Sequence, residues 1–166
     1  KSSEEKLNSY ILKLKKLIPE QIYGYDTDTM EGVVSNLLKE KKHTLSTAES
    51  CTGGNISKMI TSISGSSSFF NGSVVTYTNK SKSQLLDVNS QVIEKHGAVS
   101  QQVVEQMAKN VRLKFDSDFG ISTSGIAGPT GGTLEKPVGT VWIAVASEEK
   151  VISKKLNLGY NRERNI

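Results

Sequence analysis

A short run of reactive and small side chains stands where an apolar stretch of the chain ends. It reads TAESCTGGN, residues 47–55, and it places the hydroxyl of Ser50 beside the thiol of Cys51 and two glycines. A serine or cysteine can attack a carbonyl carbon, and backbone N–H groups where a turn opens a helix can hold the oxyanion that forms. The same hydroxyls are suited to capping a helix. The segment alone therefore leaves three readings open: a nucleophile at Ser50, a thiol nucleophile at Cys51, or a cap at Ser50 or Thr52.

A serine nucleophile needs a base, and the segment TYTNKSK, residues 76–82, offers one. Tyr77 ends a predicted strand and Lys82 begins the next predicted helix, so both side chains can project from one edge of a sheet. A lysine whose pKa is lowered by burial can accept a proton, and a phenol can relay or orient it. The alternative is a solvated surface lysine. No sequence pattern places either histidine, His43 or His96, beside Cys51.

A second small-residue segment and two arginines are candidates for binding a ligand. The segment TSGIAGPTGGT, residues 123–133, follows a predicted strand, and its glycines let a ligand approach the backbone closely. A long turn between two strands would have a similar composition. Near the end of the chain, Arg162 and Arg164 are able to clamp a phosphate bidentately or to remain solvated.

The elements that must position these residues alternate between strand and helix patterns. β-Branched and apolar runs of strand length are separated by segments with apolar residues at helical spacing, which predicts a layered α/β sheet. Ser100 is expected to cap a longer helix, and the last strand alternates as an edge strand does. The predicted strands lie within residues 43–49, 69–78, 119–125, 139–147 and 151–158.

The first thirty residues differ from the rest. Apolar residues recur at helical spacing from Leu7 to Ile18, and Pro19 ends the pattern. Asp28 or Thr29 is then expected to cap a second helix. We expect residues 1–30 to be a helical linker from an upstream region, and residues 31–166 to form the main domain.

Composition narrows the class of protein. The chain has 166 residues, 36% hydrophobic, which suits one globular domain, and no apolar run approaches the roughly 20 residues of a membrane helix. The single cysteine excludes an internal disulfide and a multi-cysteine metal site, and two histidines argue against a zinc centre. With no export signal, we expect a cytoplasmic protein. The net charge of +4 comes from lysines scattered among acidic residues, which argues against nucleic acid and suits a small phosphorylated ligand.

Five blocks, in this order, carry a family resemblance: TLSTAESCTGGNISKMIT, GSSSFFNGSVVTYTNKSKSQLLDV, HGAVS, SGIAGPTGG and EKPVGTVW. Over about residues 40–162 the chain resembles the C-terminal domain of the competence/damage-inducible protein CinA, a family that includes nicotinamide mononucleotide deamidases. The resemblance implies a three-layer α/β/α sandwich with a mixed sheet. It also implies hydrolysis of nicotinamide mononucleotide to nicotinate mononucleotide and ammonia, with no metal or organic cofactor.

The resemblance also implies which residues act. The family's E-S-C-T-G-G block places the nucleophile at Ser50, and its Y-x-N-x-x-K block places the assisting tyrosine and lysine at Tyr77 and Lys82, with Lys80 outside the pattern. The remaining matched positions are implied to bind substrate: Cys51, Thr52, Gly53, Gly54, Ser124, Gly125, Gly128 and either Arg162 or Arg164.

Two departures from the family pattern leave questions open. The block Gly159-Tyr160-Asn161-Arg162 is one residue longer than the usual spacing, so Arg164 competes with Arg162. Relatives continue into a further helix after this point, so we expect the domain to lack its last helix here. The first thirty residues resemble the end of the upstream region of two-domain CinA proteins.

Two other functional classes remain beside the amidohydrolase. One is a non-catalytic nucleotide-binding or interaction module that serves an upstream CinA domain. The other is a DNA-associated competence factor, although no groove-reading element is recognisable in the sequence. The sequence leaves open whether the chain forms a homo-oligomer.

Overall fold

A computed structural model of the protein describes residues 2–166. Seven α-helices and five strands occur in this range, together with single 3₁₀ turns at Pro19–Gln21 and Ser66–Ser68. In chain order the elements are α1 (Ser3–Leu17), α2 (Met30–Lys41), β1 (Leu45–Glu49), α3 (Asn55–Thr61), β2 (Phe70–Val75), α4 (Asn79–Leu86), α5 (Ser90–His96), α6 (Gln101–Lys114), β3 (Phe119–Gly125), β4 (Thr140–Ala146), β5 (Val151–Asn157) and α7 (Arg162–Asn165).

The five strands form one mixed sheet in the order β2-β1-β3-β4-β5. The first three strands are parallel, so their carboxyl ends lie at the same edge. β3, β4 and β5 form an antiparallel meander, and β5 is the edge strand that its alternating sequence predicts. The mixed sheet and the alternating helices confirm the α/β fold class.

Two sets of helices cover the two faces of the sheet. On one face, α6 buries its apolar stripe against Ala48 of β1 and against β3 and β4, with α4 and α5 packed beside it. On the other face, α2 and α3 enclose Leu45 together with Leu38, Ile60 and Phe69. Each strand therefore sends alternate side chains to different helices, as the period of two requires.

The helix α1 stands apart from this sandwich. Its apolar residues recur at helical spacing, as the sequence predicts, yet none of its residues is buried. A capping box formed by Ser2 and Glu5 begins the helix, and Pro19 follows its end. No residue of α1 therefore belongs to the buried core of the sandwich.

The structure decides some of the local predictions. Thr29 caps α2 by accepting from Gly32 N, whereas Asp28 accepts from Tyr25 N and is not the cap. The expectation for Ser100 is half right: it occupies the N-cap position of α6, but its hydroxyl donates to Gly97 O instead. None of the helices in residues 2–166 combines the length and the apolar character needed to cross a membrane.

Candidate active site

Ser50 lies in the turn between β1 and α3, at the carboxyl edge of the parallel strands. Its amide donates to Thr123 O on β3 (3.1 Å), and its carbonyl accepts from Gly53 N (3.1 Å). The turn uses left-handed backbone at Gly53 and Gly54, with φ of 60° and 101°. Glycine adopts this conformation without a steric penalty, which explains the glycine pair. Ser50 as a residue is 7% exposed.

Lys82, on α4, carries the amine nearest to this hydroxyl. Its Nζ lies 2.9 Å from Ser50 Oγ and 2.8 Å from Thr76 O, which accepts from it. The Lys82 residue is only 1% exposed, so it is not a solvated surface lysine. The structure thus brings together two of the three residues proposed as catalytic, 32 positions apart in the chain.

Burial changes the acidity of this lysine. Desolvation lowers the pKa of Lys82 to about 8, because the ammonium form is poorly solvated inside the fold, and an opposing contribution from Cys51 is smaller. A much larger fraction of this amine is therefore unprotonated near neutral pH than in an ordinary lysine. An unprotonated amine has a lone pair that can accept the hydroxyl proton of Ser50.

The carboxylate of Glu49, the residue before Ser50, occupies the N-terminus of α3. The expectation that the amides at this helix start are open to an oxyanion is therefore wrong. The buried Glu49 carboxylate accepts from the backbone amides of Gly54 (3.0 Å), Ile56 (3.1 Å) and Ser57 (2.8 Å), and also from the Ser57 hydroxyl (2.8 Å). The first amides of α3 are thus occupied by a side chain of the protein. Glu49 and Ser50 are consecutive residues at the end of β1, so their side chains point to opposite faces of the sheet, Glu49 towards α3 and Ser50 towards α4.

Two other amides at the turn are not occupied by Glu49. Within the described residues, the backbone N–H groups of Cys51 and Thr52 donate to no carbonyl or carboxylate, and the acceptor within their reach is the buried Cys51 thiol, which is a weak one. These amides directly follow the Ser50 carbonyl in the chain. These two amides, rather than those at the N-terminus of α3, are the candidates for holding an oxyanion.

Cys51 has the environment of a packed apolar side chain. It is 5% exposed and clusters with Ala127 and Val141. Burial raises the pKa of the Cys51 thiol, which disfavours the thiolate that a nucleophile requires. The structure therefore favours Ser50 over Cys51 as the reactive group.

The end of β3 packs closely against the serine turn. Thr52 and Thr123 share a buried hydrogen bond of 2.8 Å between their hydroxyls. Ser124 is buried and donates to Ala98 O (2.8 Å), which ties β3 to the loop before α6. A Cβ at Gly125 would lie 2.9 Å from Thr140 O, so close strand packing explains this glycine. Ser124 and Gly125 are thus placed beside Ser50, with the Ser124 hydroxyl engaged in a structural bond.

Tyr77, Arg162 and Gly128 form a bridge between distant segments. Arg162 donates through Nη1 to Gly128 O (2.8 Å) and through Nη2 to the Tyr77 hydroxyl (3.1 Å). Tyr77 is 59% exposed, and its phenol has no hydrogen bond to Ser50 or Lys82 among the described contacts. The structure therefore groups Tyr77 with the arginine and the glycine-rich loop, at the mouth of the site.

The two candidate arginines both lie on the short helix α7, but their side chains have different partners. Arg164 stacks over the Tyr160 ring, 4.3 Å from its centroid, whereas Arg162 extends to Gly128. Asn165, which the sequence analysis missed, donates to Ala127 O (3.1 Å) and Tyr160 O (2.6 Å) and so fastens α7 to the glycine-rich loop. A buried asparagine near the end of a chain carries no recognisable sequence signal.

Open cavities lie on both sides of α7. One, of about 460 Å³, is lined by Thr52, Gly53, Gly54 and Lys58 with Glu163 and Ile166. The other, of about 570 Å³, is lined by Pro129, Val138 and Tyr160 to Glu163. Space for a small molecule therefore adjoins both the glycine turn and Arg162.

Comparison with known families gives one match that covers most of the chain. The model of the CinA C-terminal domain matches residues 27–166. A CinA-like protein of Cytophaga hutchinsonii is 53% identical over 149 residues, which are 90% of this chain and 36% of that protein. A putative competence-damage inducible protein of Caldanaerobacter subterraneus is 48% identical over 152 residues, 92% of this chain and 37% of that protein. The chain thus spans little more than a third of the length of these curated relatives.

Solved structures show the same fold. The competence/damage inducible protein CihA of Agrobacterium tumefaciens superposes with a TM-score of 0.81 and 34% identity, over 87% of this chain and 89% of that one. A competence-damaged protein (CinA) superfamily protein of Escherichia coli gives a TM-score of 0.80 and 31% identity, over 89% of this chain and 87% of that one. In contrast to the curated relatives, these solved chains are similar in length to the present one.

Proposed function

Because the chain belongs to the CinA C-terminal domain family, we propose that it is an amidohydrolase that converts nicotinamide mononucleotide to nicotinate mononucleotide and ammonia. The observation that carries the proposal is the buried Lys82 amine at 2.9 Å from Ser50 Oγ. A serine paired with an amine of lowered pKa is suited to acyl transfer, and a carboxamide is an acyl compound that this pair can cleave.

The first half of the reaction acylates Ser50. The unprotonated amine of Lys82 takes the hydroxyl proton as Oγ attacks the carboxamide carbon, and the amides of Cys51 and Thr52 hold the resulting oxyanion. The tetrahedral intermediate then collapses. The C–N bond breaks, Lys82 gives its proton to the leaving nitrogen, and ammonia departs from a nicotinoyl ester of Ser50.

The second half hydrolyses this ester. Lys82, again unprotonated, takes a proton from a water molecule as its oxygen attacks the ester carbon. The C–O bond to Ser50 breaks, and the proton returns from Lys82 to the serine oxygen. Amide and water are converted to carboxylic acid and ammonia, and the two residues regain their starting protonation states.

The nucleotide part of the substrate is assigned to the mouth of the site. Arg162 can form a bidentate ion pair with the phosphate once it releases Gly128 O, and the glycine-rich loop allows close backbone approach. We assign Tyr77 to orienting the substrate through Arg162. A phenolic relay is unnecessary because Lys82 contacts Ser50 directly.

An ammonia-release assay with nicotinamide mononucleotide tests the proposal. We expect release that depends on Ser50, together with an acid-trapped acyl adduct on the peptide that contains Ser50, detected by mass spectrometry. Binding of the nucleotide without ammonia release would contradict the proposal and favour a non-catalytic binding module that serves an upstream domain.

A further inference from the structure

Two threonine hydroxyls are buried in the described residues without any hydrogen-bond partner. They belong to Thr76 and Thr140, both 0% exposed. A buried hydroxyl without a partner loses its hydration and gains nothing in return, so such groups are rare in folded proteins. An orphaned hydroxyl beside reactive groups therefore suggests a role that the resting state does not display.

Thr76 lies in the same row as the nucleophile. In the parallel sheet Val75 pairs with Glu49 at the ends of β2 and β1, and the residues that follow these two are Thr76 and Ser50. The amide of Thr76 continues this pairing by donating to Glu49 O (2.8 Å), and its carbonyl accepts from Lys82 Nζ (2.8 Å). The orphaned hydroxyl thus belongs to the residue that already holds the Lys82 amine.

Thr140 differs in this respect. Its amide donates to Pro137 O (3.0 Å), and its carbonyl accepts from Ile126 N (2.9 Å). It has no hydrogen bond to Ser50 or Lys82. The two threonines are therefore matched in burial and in lack of a partner, but only Thr76 holds the amine.

The number of N–H groups on Lys82 determines how many acceptors its amine needs, and the Thr76 hydroxyl is a candidate for one of them. An unprotonated amine has two N–H groups and one lone pair, and Thr76 O accepts one N–H while the lone pair receives the Ser50 proton. The ammonium that forms has three N–H groups. Thr76 O and the serine oxygen accept two of them, and the third needs another acceptor inside a buried site.

We propose that Thr76 is a positioning residue for Lys82, and that its hydroxyl accepts the third N–H of the ammonium formed when Lys82 takes the Ser50 proton. The inference rests on the proton transfer from Ser50 to Lys82 in the proposed function, but not on the identity of the substrate. Rotation about the Cα–Cβ bond of Thr76 would turn this hydroxyl towards the amine, which the carbonyl of the same residue already holds at 2.8 Å. The hydroxyl therefore lacks a partner in the resting state and gains one when the charge develops.

This role has a definite effect on acidity. An acceptor for the ammonium stabilises the charged form and raises the pKa of Lys82, in opposition to the desolvation that lowers it. Cys51 is the titratable group whose charge acts on Lys82, and its thiol stays intact in every variant below. Loss of the Thr76 hydroxyl should therefore lower the pKa of Lys82 further and weaken it as a base.

The test compares Thr76→Val, Thr76→Ser and Thr140→Val with the wild-type chain. Phenylmethanesulfonyl fluoride is used to label Ser50 across pH 6 to 10, with the rate followed by mass spectrometry, and ammonia release from nicotinamide mononucleotide is measured in parallel. Valine keeps the shape of threonine and leaves the Thr76 carbonyl in place. Serine keeps the hydroxyl, and Thr140→Val removes the other orphaned hydroxyl.

In Thr76→Val we expect the midpoint of the labelling profile to move down by about half to one pH unit, and the alkaline plateau to fall about tenfold. Thr76→Ser should restore both values, and Thr140→Val should match the wild type. A wild-type profile in Thr76→Val, or an equal change in Thr140→Val, would overturn the inference. If Thr76→Val melts early, Thr76→Ala gives the same comparison with Thr76→Ser.

The two readouts separate this inference from the proposed function. A Thr76-dependent labelling profile without ammonia release supports the role of Thr76 and contradicts the deamidase. Ammonia release that depends on Ser50, together with the same labelling profile in Thr76→Val and the wild type, supports the deamidase and overturns the role of Thr76.

Discussion

The hydroxyl of Ser50 has a buried amine as its partner, so its removal should affect chemistry far more than packing. We expect Ser50→Ala to lower ammonia release at least about 10³-fold and to leave nucleotide affinity nearly unchanged. Turnover and binding are measured separately, by the release assay and by calorimetry. Cys51→Ala is the control, and an inactive Cys51→Ala beside an active Ser50→Ala would transfer the nucleophile to the thiol.

The proposed base, Lys82, is buried, whereas its neighbour Lys80 is exposed. Lys82→Met should lower turnover far more than Lys80→Met, because only Lys82 contacts Ser50. The rate of the wild type should rise with pH around a midpoint of about 8, where Lys82 loses its proton. A pH–rate profile that is flat from pH 6 to 10, or equal losses in the two variants, would contradict the assignment.

The lowered pKa of Lys82 also implies a cost in stability. Its pKa is about 8 in the fold against 10.5 in an ordinary lysine, so between these values the unfolded chain binds more protons. The free energy of unfolding should therefore rise with pH from about 8 to 10.5, by up to about 3 kcal/mol. Urea unfolding at several pH values measures this rise, and Lys82→Met should abolish it.

Among the elements, α3 depends on the strand that precedes it. The Glu49 carboxylate holds three backbone amides at the start of α3 and thereby fixes the turn that carries Ser50. Glu49→Ala should lower the free energy of unfolding by about 2–3 kcal/mol and also lower turnover, since both the cap and the turn are lost. Thr29→Ala removes the cap of α2, away from the site, and should cost about 1 kcal/mol with unchanged turnover. Equal turnover in both variants would show that the turn keeps its geometry without Glu49.

The periodic elements were predictable because they repeat a local pattern. The apolar stripes of α1, α2 and α6 and the β-branched runs of the strands indicate their type and order before any tertiary contact is known. The caps were less predictable, since neighbouring hydroxyls and carboxylates compete for one position. Asp28 and Thr29 are both good caps, and the path of the preceding loop decides between them.

The side-chain partners at the site were the least predictable part. The sequence suggests Ser50 and Lys82 as candidates, but it cannot give their distance, which depends on how α4 packs on the sheet. Glu49 and Asn165 act through backbone groups five or more positions away, so neither belongs to a local pattern. The strand alternation that turns Glu49 away from Ser50 would have indicated its separate role.

Across the whole molecule, the site gathers segments from both halves of the chain. Arg162 joins Tyr77, 85 positions earlier, to Gly128 of the glycine-rich loop. We expect Arg162→Ala to raise KM about tenfold through loss of the phosphate contact, and Arg164→Ala to do much less because Arg164 stacks on Tyr160. Steady-state kinetics with nicotinamide mononucleotide measure both values.

An analogue of the proposed substrate gives the corresponding control. Nicotinamide riboside lacks the phosphate, so it should be a poor substrate for the wild type and should be affected little by Arg162→Ala. Equal efficiency with the riboside and the mononucleotide would exclude phosphate recognition of this kind.

The lack of any buried residue in α1 has a consequence for proteolysis. Lys13, Lys15 and Lys16 lie on a helix with no buried residue, so brief local unfolding presents them to trypsin without disturbing the sheet. Limited digestion of the chain should therefore cut first in α1, and the product should retain the pairing of Ser50 with Lys82. We therefore expect removal of α1 to leave the hydrogen bond between Lys82 and Ser50 in place.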